Sequence, residues 1–269
     1  MKTVDAIEAY VERIVCIENL SNSFQHKKVL PCNSTIISFQ YGKSCIKEVV
    51  SGTQNRLPVS TVCGPLTKSK EYIFPPASKI LVVKLRPWAT RFFFDIDFNE
   101  FTDTNISLNN FIDEKIVEEK FKASTNKTTF ILDFLNQLFK QKVIDNSIIQ
   151  SLYIIDEMKG QIKVNELANM VYNSKRNFER KFKSVTGLTP KKYINTIRFQ
   201  NAMLFIHSRQ NLINTSYECG YYDRSHLINE CKSTTGFTPE VMSQKTCRIF
   251  PMNSVFLNTP LLHNLLLQN

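Results

Sequence analysis

Arg176, Arg180 and Lys183 fall at spacings of 0, 4 and 7, and Phe178, Phe182 and Val185 repeat the same spacing two residues on. On a helix this pattern puts an apolar stripe on one face and a cationic stripe on the other. Guanidinium groups pair bidentately with guanine O6 and N7, and any cation attracts phosphate. The neighbourhood is just as one-sided. Between Tyr172 and Gln200 there are eight basic residues against one acidic residue, Glu179. These residues suit the recognition of a polyanion.

No comparable pattern supports catalysis. The chain has no P-loop, no GxGxxG and no nucleophile elbow, and only four histidines to serve as bases. His26, Cys32, Cys45 and Cys63 lack CxxC or HxxxH spacing, which argues against zinc. We therefore expect no catalytic residues, no metal and no cofactor. The seven cysteines are odd in number and irregularly spaced, and MKTVDAIEAYVERIV lacks a signal-peptide core. Free thiols in a reduced cytoplasm are the expectation.

The elements that position the cations can be read next to them. Val164, Leu167, Ala168 and Val171 form an i, i+3, i+4, i+7 stripe, Tyr172-Asn173 reads as a turn, and Ser174 is placed as an N-cap. Two short helices, a tight turn and a basic face on the second describe a helix-turn-helix. A repeat follows. Phe182-Lys-Ser-Val-Thr-Gly187-Leu-Thr-Pro190 recurs as Cys231-Lys-Ser-Thr-Thr-Gly236-Phe-Thr-Pro239, offset by 49 residues. In each copy Gly lets the chain leave a helix, Thr caps the next one, and Pro is tolerated in its first turn. The second copy differs in charge: Asn211 to Lys245 holds three basic and four acidic residues. The first unit is therefore expected to be the electrostatic anchor.

The remainder of the chain has a different texture. Length of 269 residues favours about two domains, and 34 Lys+Arg against 24 Asp+Glu leave a net charge of +10. TIISFQY (35–41), SCIKEVV (44–50), LPVSTVC (57–63) and KILVVKL (79–85) are short β-branched runs punctuated by Gly and Pro. Helical periods begin at Ile131, Phe134, Leu135 and Leu138 and continue through Ile148, Leu152 and Ile155. We read an α+β chain: a β-rich domain over 1–105, a helical connector over 106–145, an all-α domain over 146–245 and a tail over 246–269. Residues 249–269 carry no charge but are interrupted by Pro251, Pro260 and His263, so no membrane span is expected. The stripe between Ile116 and Lys142 suits either a dimer interface or packing on the β-domain. Arg91-Phe-Phe-Phe94 and Tyr72-Ile-Phe74 are expected to be core rather than pocket lining.

SKRNFERKFKSVTGLTPKKYINTIRFQNA (174–202) and YECGYYDRSHLINECKSTTGFTP (217–239) resemble the paired helix-turn-helix signature of the AraC/XylS family of bacterial transcription regulators. The resemblance covers about residues 148–242. A fainter one, carried by LPVSTVCGPLTK, KILVVKLRPWA and FNEFTDTNISLNNF, links the first half to the β-rich domain of some members. It implies two helix-turn-helix units joined by a long helix, here about Pro190 to Ile206, binding double-stranded DNA in successive major-groove segments. By the family pattern Arg176, Asn177, Glu179 and Arg180 face the bases in the first unit, and Arg224, Ser225, His226 and Asn229 in the second. Lys175, Lys183, Lys191 and Lys192 are expected on phosphates, which position without specifying. His226 is left open between a base contact, a phosphate contact and a cap. An activator is implied by family habit, with RNA polymerase and a second copy as candidate partners; no effector is identified.

Three departures from the family pattern stand out. Tyr172 occupies a turn position usually held by Gly, Thr215-Ser216 replace a small apolar pair, and Leu227 and Cys231 replace aromatic core positions. Each missing aromatic is expected to cost about 1–3 kcal/mol unless the core repacks. Two other readings remain beside the regulator: a nonspecific DNA-architectural protein, and a small-molecule binding module with secondary DNA binding.

Overall fold

The computed structural model describes residues 7–208, 212–243 and 249–250. Its first half is built of two five-stranded sheets. One has the order β1-β8-β3-β6-β9, from β1 (Val11–Glu18), β8 (Lys79–Leu85), β3 (Ile36–Gln40), β6 (Ser60–Cys63) and β9 (Asn105–Ser107). The other has the order β10-β2-β7-β4-β5, from β10 (Ile249–Phe250), β2 (Gln25–Val29), β7 (Lys70–Phe74), β4 (Lys47–Val50) and β5 (Thr53–Arg56). All pairings are antiparallel except β10 on β2, and Ile37 faces both Val83 and Val62 across the first sheet.

Both faces of that first sheet are covered, which is why β3 and β8 are buried along nearly their whole length, with Ile36-Ile37 and Ile80–Val83 as consecutive apolar residues. One face packs on the second sheet through Ile17, Ile36, Cys63, Ile80 and Val82. The other, with Ile14, Ile37, Phe39, Val62, Leu81 and Val83, is covered by Phe92–Phe94 and by α2 (Glu114–Ala123) and α3 (Lys127–Leu138). Phe39 stacks on Phe121 with ring centroids 4.9 Å apart and meets Phe134 edge-on at 5.7 Å. Thus the stripe of α3 packs on the β-domain, and the Phe-rich run 92–94 is core. Between the sheets lies a cavity of about 50 Å3, far below the several hundred Å3 that a drug-sized ligand fills.

The strands begin earlier than the apolar runs suggest. β1 and β2 precede Thr35, and β5 is a wholly exposed polar strand. β9 places Asn105–Ser107 in the sheet, at the start of the stretch expected to be helical. A short helix α1 (Phe98–Phe101) precedes it. The uncharged tail lies outside the described residues apart from Ile249–Phe250.

The second half is helical: α4 (Asn146–Glu157), α5 (Val164–Met170), α6 (Lys175–Thr186), α7 (Pro190–His207), α8 (Leu212–Glu218), α9 (Arg224–Thr235) and α10 (Pro239–Ser243). Gly187 and Gly236 leave α6 and α9 at φ of 80° and 78°, in the left-handed region that disfavours side chains. Thr189 Oγ1 then accepts from Lys192 N, with Pro190 in the first turn of α7. The two units have separate cores. The first centres on Phe178, Phe182, Val185 and Tyr193, and the second on Phe199, Met203, Tyr221, Leu227 and Cys231.

The second core is not self-sufficient. Leu30, from the loop after β2, belongs to it and is 6% exposed. Around this side chain the seam between the halves is stitched by backbone acceptors. Gln200 Nε2 donates to Pro31 O at 2.7 Å, and Asn33 Nδ2 donates to Tyr193 O at 3.0 Å. Leu30→Ala is expected to destabilise the chain by about 2–4 kcal/mol through the cavity left behind. Hydrogen exchange should show the effect as faster exchange in α9, with the protection of α6 kept.

Candidate nucleic-acid interface

The first unit presents its cations from α6. Lys175 and Arg176 open the helix, Arg180 and Lys183 follow on the same side, and all four are exposed. The opposite side is closed, with Phe178 and Phe182 fully buried and their rings 5.4 Å apart. Phe182 in turn meets Tyr193 edge-on at 5.3 Å, which sets α6 against α7. Asn177 and Glu179 are half-buried. Asn177 links a short polar chain, donating to Asn173 Oδ1 and accepting from Arg180 NH2, each at 2.9 Å. The Arg180 guanidinium is therefore preorganised beside the Asn177 amide.

Ser174 sits at the N-cap of α6, but its side chain makes no capping bond. The turn before it is tied instead by Asn173, whose amide donates to Ser147 Oγ and to Val171 O. Tyr172 adopts φ of 54° and is 97% exposed. A bulky side chain in that backbone region costs about 1–2 kcal/mol relative to Gly, and no packing of the ring offsets it.

The second unit has the same plan with weaker charge. Arg224, Ser225, His226 and Asn229 lie in the first half of α9 and are exposed. Asp223 is the N-cap and accepts from His226 N at 2.7 Å, so the cap is Asp223 and the His226 ring stays outward, edge-on to Tyr221 at 5.3 Å. The Arg224 guanidinium lies 3.3 Å from Glu240. Both side chains are half-exposed, so the pair holds Arg224 only weakly. Thr215 and Ser216, in place of an apolar pair, are fully buried, and Ser216 Oγ donates back to Ile213 O at 2.7 Å. Leu227 and Cys231 are also fully buried, with Leu30 and Met242 in the same core.

The connection between the units is rigid. α7 runs 18 residues, about 27 Å. Its N-terminus exposes Lys191 and Lys192, and near its middle Arg198 reaches Glu230 on α9 at 3.5 Å while lying 4.7 Å from the Tyr221 ring. Sequence reasoning places Asn173 in the turn without giving it partners, and does not single out Arg198 or Glu230, polar residues inside helical patterns; only the packing shows what each joins. Among the described residues no group of His, Cys, Asp and Glu is placed to hold a metal, and no helix is long and apolar enough to cross a membrane.

Residues 167–245 match the helix-turn-helix domain family. The chain is 27% identical over 93 residues to the HTH-type transcriptional activator RhaS of Escherichia coli K12, covering 34% of each chain. Residues 167–245 are thus a helix-turn-helix domain by sequence as well as by fold. The chain spans only 34% of the length of the curated relatives it matches. Residues 4–107 match a domain family of unknown function. Among solved structures, ToxT from Vibrio cholerae is similar over 87% of this chain and 98% of its own, at 10% identity and a TM-score of 0.47. The DNA-binding domain of AdpA, solved with a target DNA, is similar over 36% of this chain and 89% of its own, at 23% identity and a TM-score of 0.35.

In this helix-turn-helix domain the C-terminal ends of α6 and α9 meet the β-domain. Lys28 Nζ donates to Thr235 O at 2.6 Å and lies over the Phe237 ring, Ser69 N donates to Thr234 O, and Arg91 donates to Ser184 O. Asp156 of α4 also stands at the seam. It keeps an exposed edge, yet desolvation by the surrounding protein and the Glu12 carboxylate raise it to about 6, with Lys84 opposing. A carboxyl raised above its unfolded value disfavours the folded chain when ionised, so its contribution improves as pH falls from above 6 toward 4. Asp156→Asn should therefore raise the thermal midpoint at pH 7.5 and change it less at pH 5, a comparison that differential scanning calorimetry makes directly.

Proposed function

We propose that the chain is a sequence-specific, DNA-binding transcription regulator with no catalytic role, its α6 and α9 entering successive major-groove segments. The observation that carries this reading is the pair of helices with exposed polar first halves and buried second faces, held on one 18-residue helix. Residues 146–245 serve as the DNA-binding domain and 1–105 as the regulatory domain, joined through 106–145. In the first unit Arg176, Asn177, Glu179 and Arg180 read base edges; in the second Arg224, Ser225, His226 and Asn229 do so. Lys175, Lys183, Lys191 and Lys192 bind phosphates. Activation through RNA polymerase, in the cytoplasm, as a monomer or a homodimer, is the regulatory setting this implies.

The two units divide the work unequally. The first combines phosphate attraction with two arginines able to take guanines; the second relies on Arg224 and on uncharged groups. Selection from a randomised duplex pool by the full chain, at near-physiological salt, should enrich a motif with two boxes about ten base pairs apart. In Arg176→Ala, Arg180→Ala the first box should vanish, with binding weakened roughly 10–100-fold for each arginine–guanine pair removed. Lys191→Ala, Lys192→Ala should keep the motif and lower the salt slope by about 2. A pool that enriches nothing, with equal salt-dependent binding by all versions, would instead support nonspecific DNA architecture.

A further inference from the structure

Each helix-turn-helix carries a tyrosine in its turn that the fold does not use. Tyr172 is 97% exposed and Tyr222 87% exposed. The two turns reach this result by different routes. In the first, Tyr172 itself takes the left-handed position, at φ of 54°, where the second has Gly220 at φ of 71°. In the second, the residue after Gly220 is Tyr221, which is buried against Arg198 and His226, and one additional residue, Tyr222, precedes the N-cap Asp223. The first turn has no such residue: only Asn173 separates Tyr172 from the N-cap Ser174. An exposed phenol thus stands one or two residues before each recognition helix's N-cap.

Neither ring is explained by stability. Tyr172 occupies a strained backbone without burying its side chain, and an observed outlier of this kind points to use elsewhere. The location says where. In a helix-turn-helix the N-terminal residues of the recognition helix reach base edges, so the turn just before them lies at the rim of the groove, where the phosphates run. Lys175 and Arg176 beside Tyr172 make the first rim electropositive, and at the second Arg224 stands near Tyr222, beside Asp223 and Glu240. Tyrosine is suited to such a place: it has two side-chain torsions to immobilise and a hydroxyl that donates to phosphate oxygen.

We propose that Tyr172 and Tyr222 are a matched pair of uncharged phosphate clamps, each donating its hydroxyl to a DNA phosphate at the entry of its recognition helix and so setting the helix's register on the duplex. The inference rests on the DNA-binding reading above. It differs from the lysine–phosphate pairs in its signature. A neutral donor releases no counterion, so removing it weakens binding without changing the salt slope.

The test uses the full chain and a duplex carrying the motif that the wild-type chain selects. Tyr172→Phe and Tyr222→Phe remove only the hydroxyls. Each is expected to weaken binding about tenfold, as for a hydrogen bond to a charged acceptor, with the selected motif, the salt slope and the unfolding midpoint unchanged. Tyr172→Gly should weaken binding at least as much while raising the midpoint by about 2–4 °C. Wild-type affinity in both Phe variants, or a drop that comes with a lower salt slope or an altered motif, overturns the clamps and leaves the regulator reading standing. If the wild-type chain selects no motif at all, the regulator reading fails and the clamps fail with it.

Discussion

The second helix-turn-helix depends on a residue it does not own. Leu30 closes a core in which Leu227 and Cys231 stand where larger side chains would fill the space. A cluster of this size cannot stay well packed when a leucine is withdrawn. Its position is fixed in turn by the sheet that carries it: β2 pairs with β7, and β7 with β4. The β-domain is therefore part of the structural definition of the second recognition helix. The buried side chains of the first unit's core, with Phe178, Phe182 and Tyr193 among them, all come from the helical half, and the β-domain adds only the partly buried Trp88 at its edge.

This asymmetry in packing runs parallel to the asymmetry in charge. The unit whose buried core is its own is also the one rich in cations, suited to draw a polyanion by long-range attraction as well as by touch. The unit whose core is completed from outside has an acidic local balance, and its Arg224 already faces Glu240. What the second unit retains is geometry. Arg198 joins α7 to Glu230 and the Tyr221 ring, so the angle of α9 to the linking helix is set by largely buried polar groups. A polar link of this kind adds orientation more than net stability, because taking both charges out of water offsets most of their attraction.

Legibility from sequence follows the same physics. The helical units are readable because their punctuation is local: Gly187 and Gly236 at helix ends, Thr189 before Pro190, apolar residues at helical spacing. Strands β3 and β8 are readable because burial on both faces makes them rich in consecutive β-branched and apolar residues, Ile36-Ile37 and Ile80–Val83. β5 and β9 are not, since each is a short polar strand at a sheet edge, made a strand by its neighbour's hydrogen bonds rather than by its own pattern. β5, Thr-Gln-Asn-Arg, has no apolar residue to betray it. In the site, the exposed cations follow from a helical wheel. Leu30, Arg198 and Asn173 do not, because their partners lie in other elements, and spacing along one helix says nothing about them. The strain at Tyr172 is half visible: its place in the turn is a matter of sequence, but its full exposure is a matter of packing.

The seam also bears on how the β-domain, in the regulatory role proposed for it, could act. Coupling between two sites requires that both bias the same pair of states. The β-domain touches the C-terminal ends of both recognition helices, at Ser184 on α6 and at Thr234 and Thr235 on α9, and it touches α7 between them at Tyr193 and Gln200. The bonds at Ser184, Tyr193, Thr234 and Thr235 end on backbone carbonyls of the helical domain, and the one from Gln200 ends on a carbonyl of the β-domain. Such acceptors move only when a helix end or a loop moves as a body. A shift of the sheet edge bearing Lys28 and Ser69 must therefore reorient α9 or detach from it, whereas the Arg91 bond acts on α6 alone. The β-domain is thus placed to change the angle between α6 and α9 through bonds that end on their backbone carbonyls.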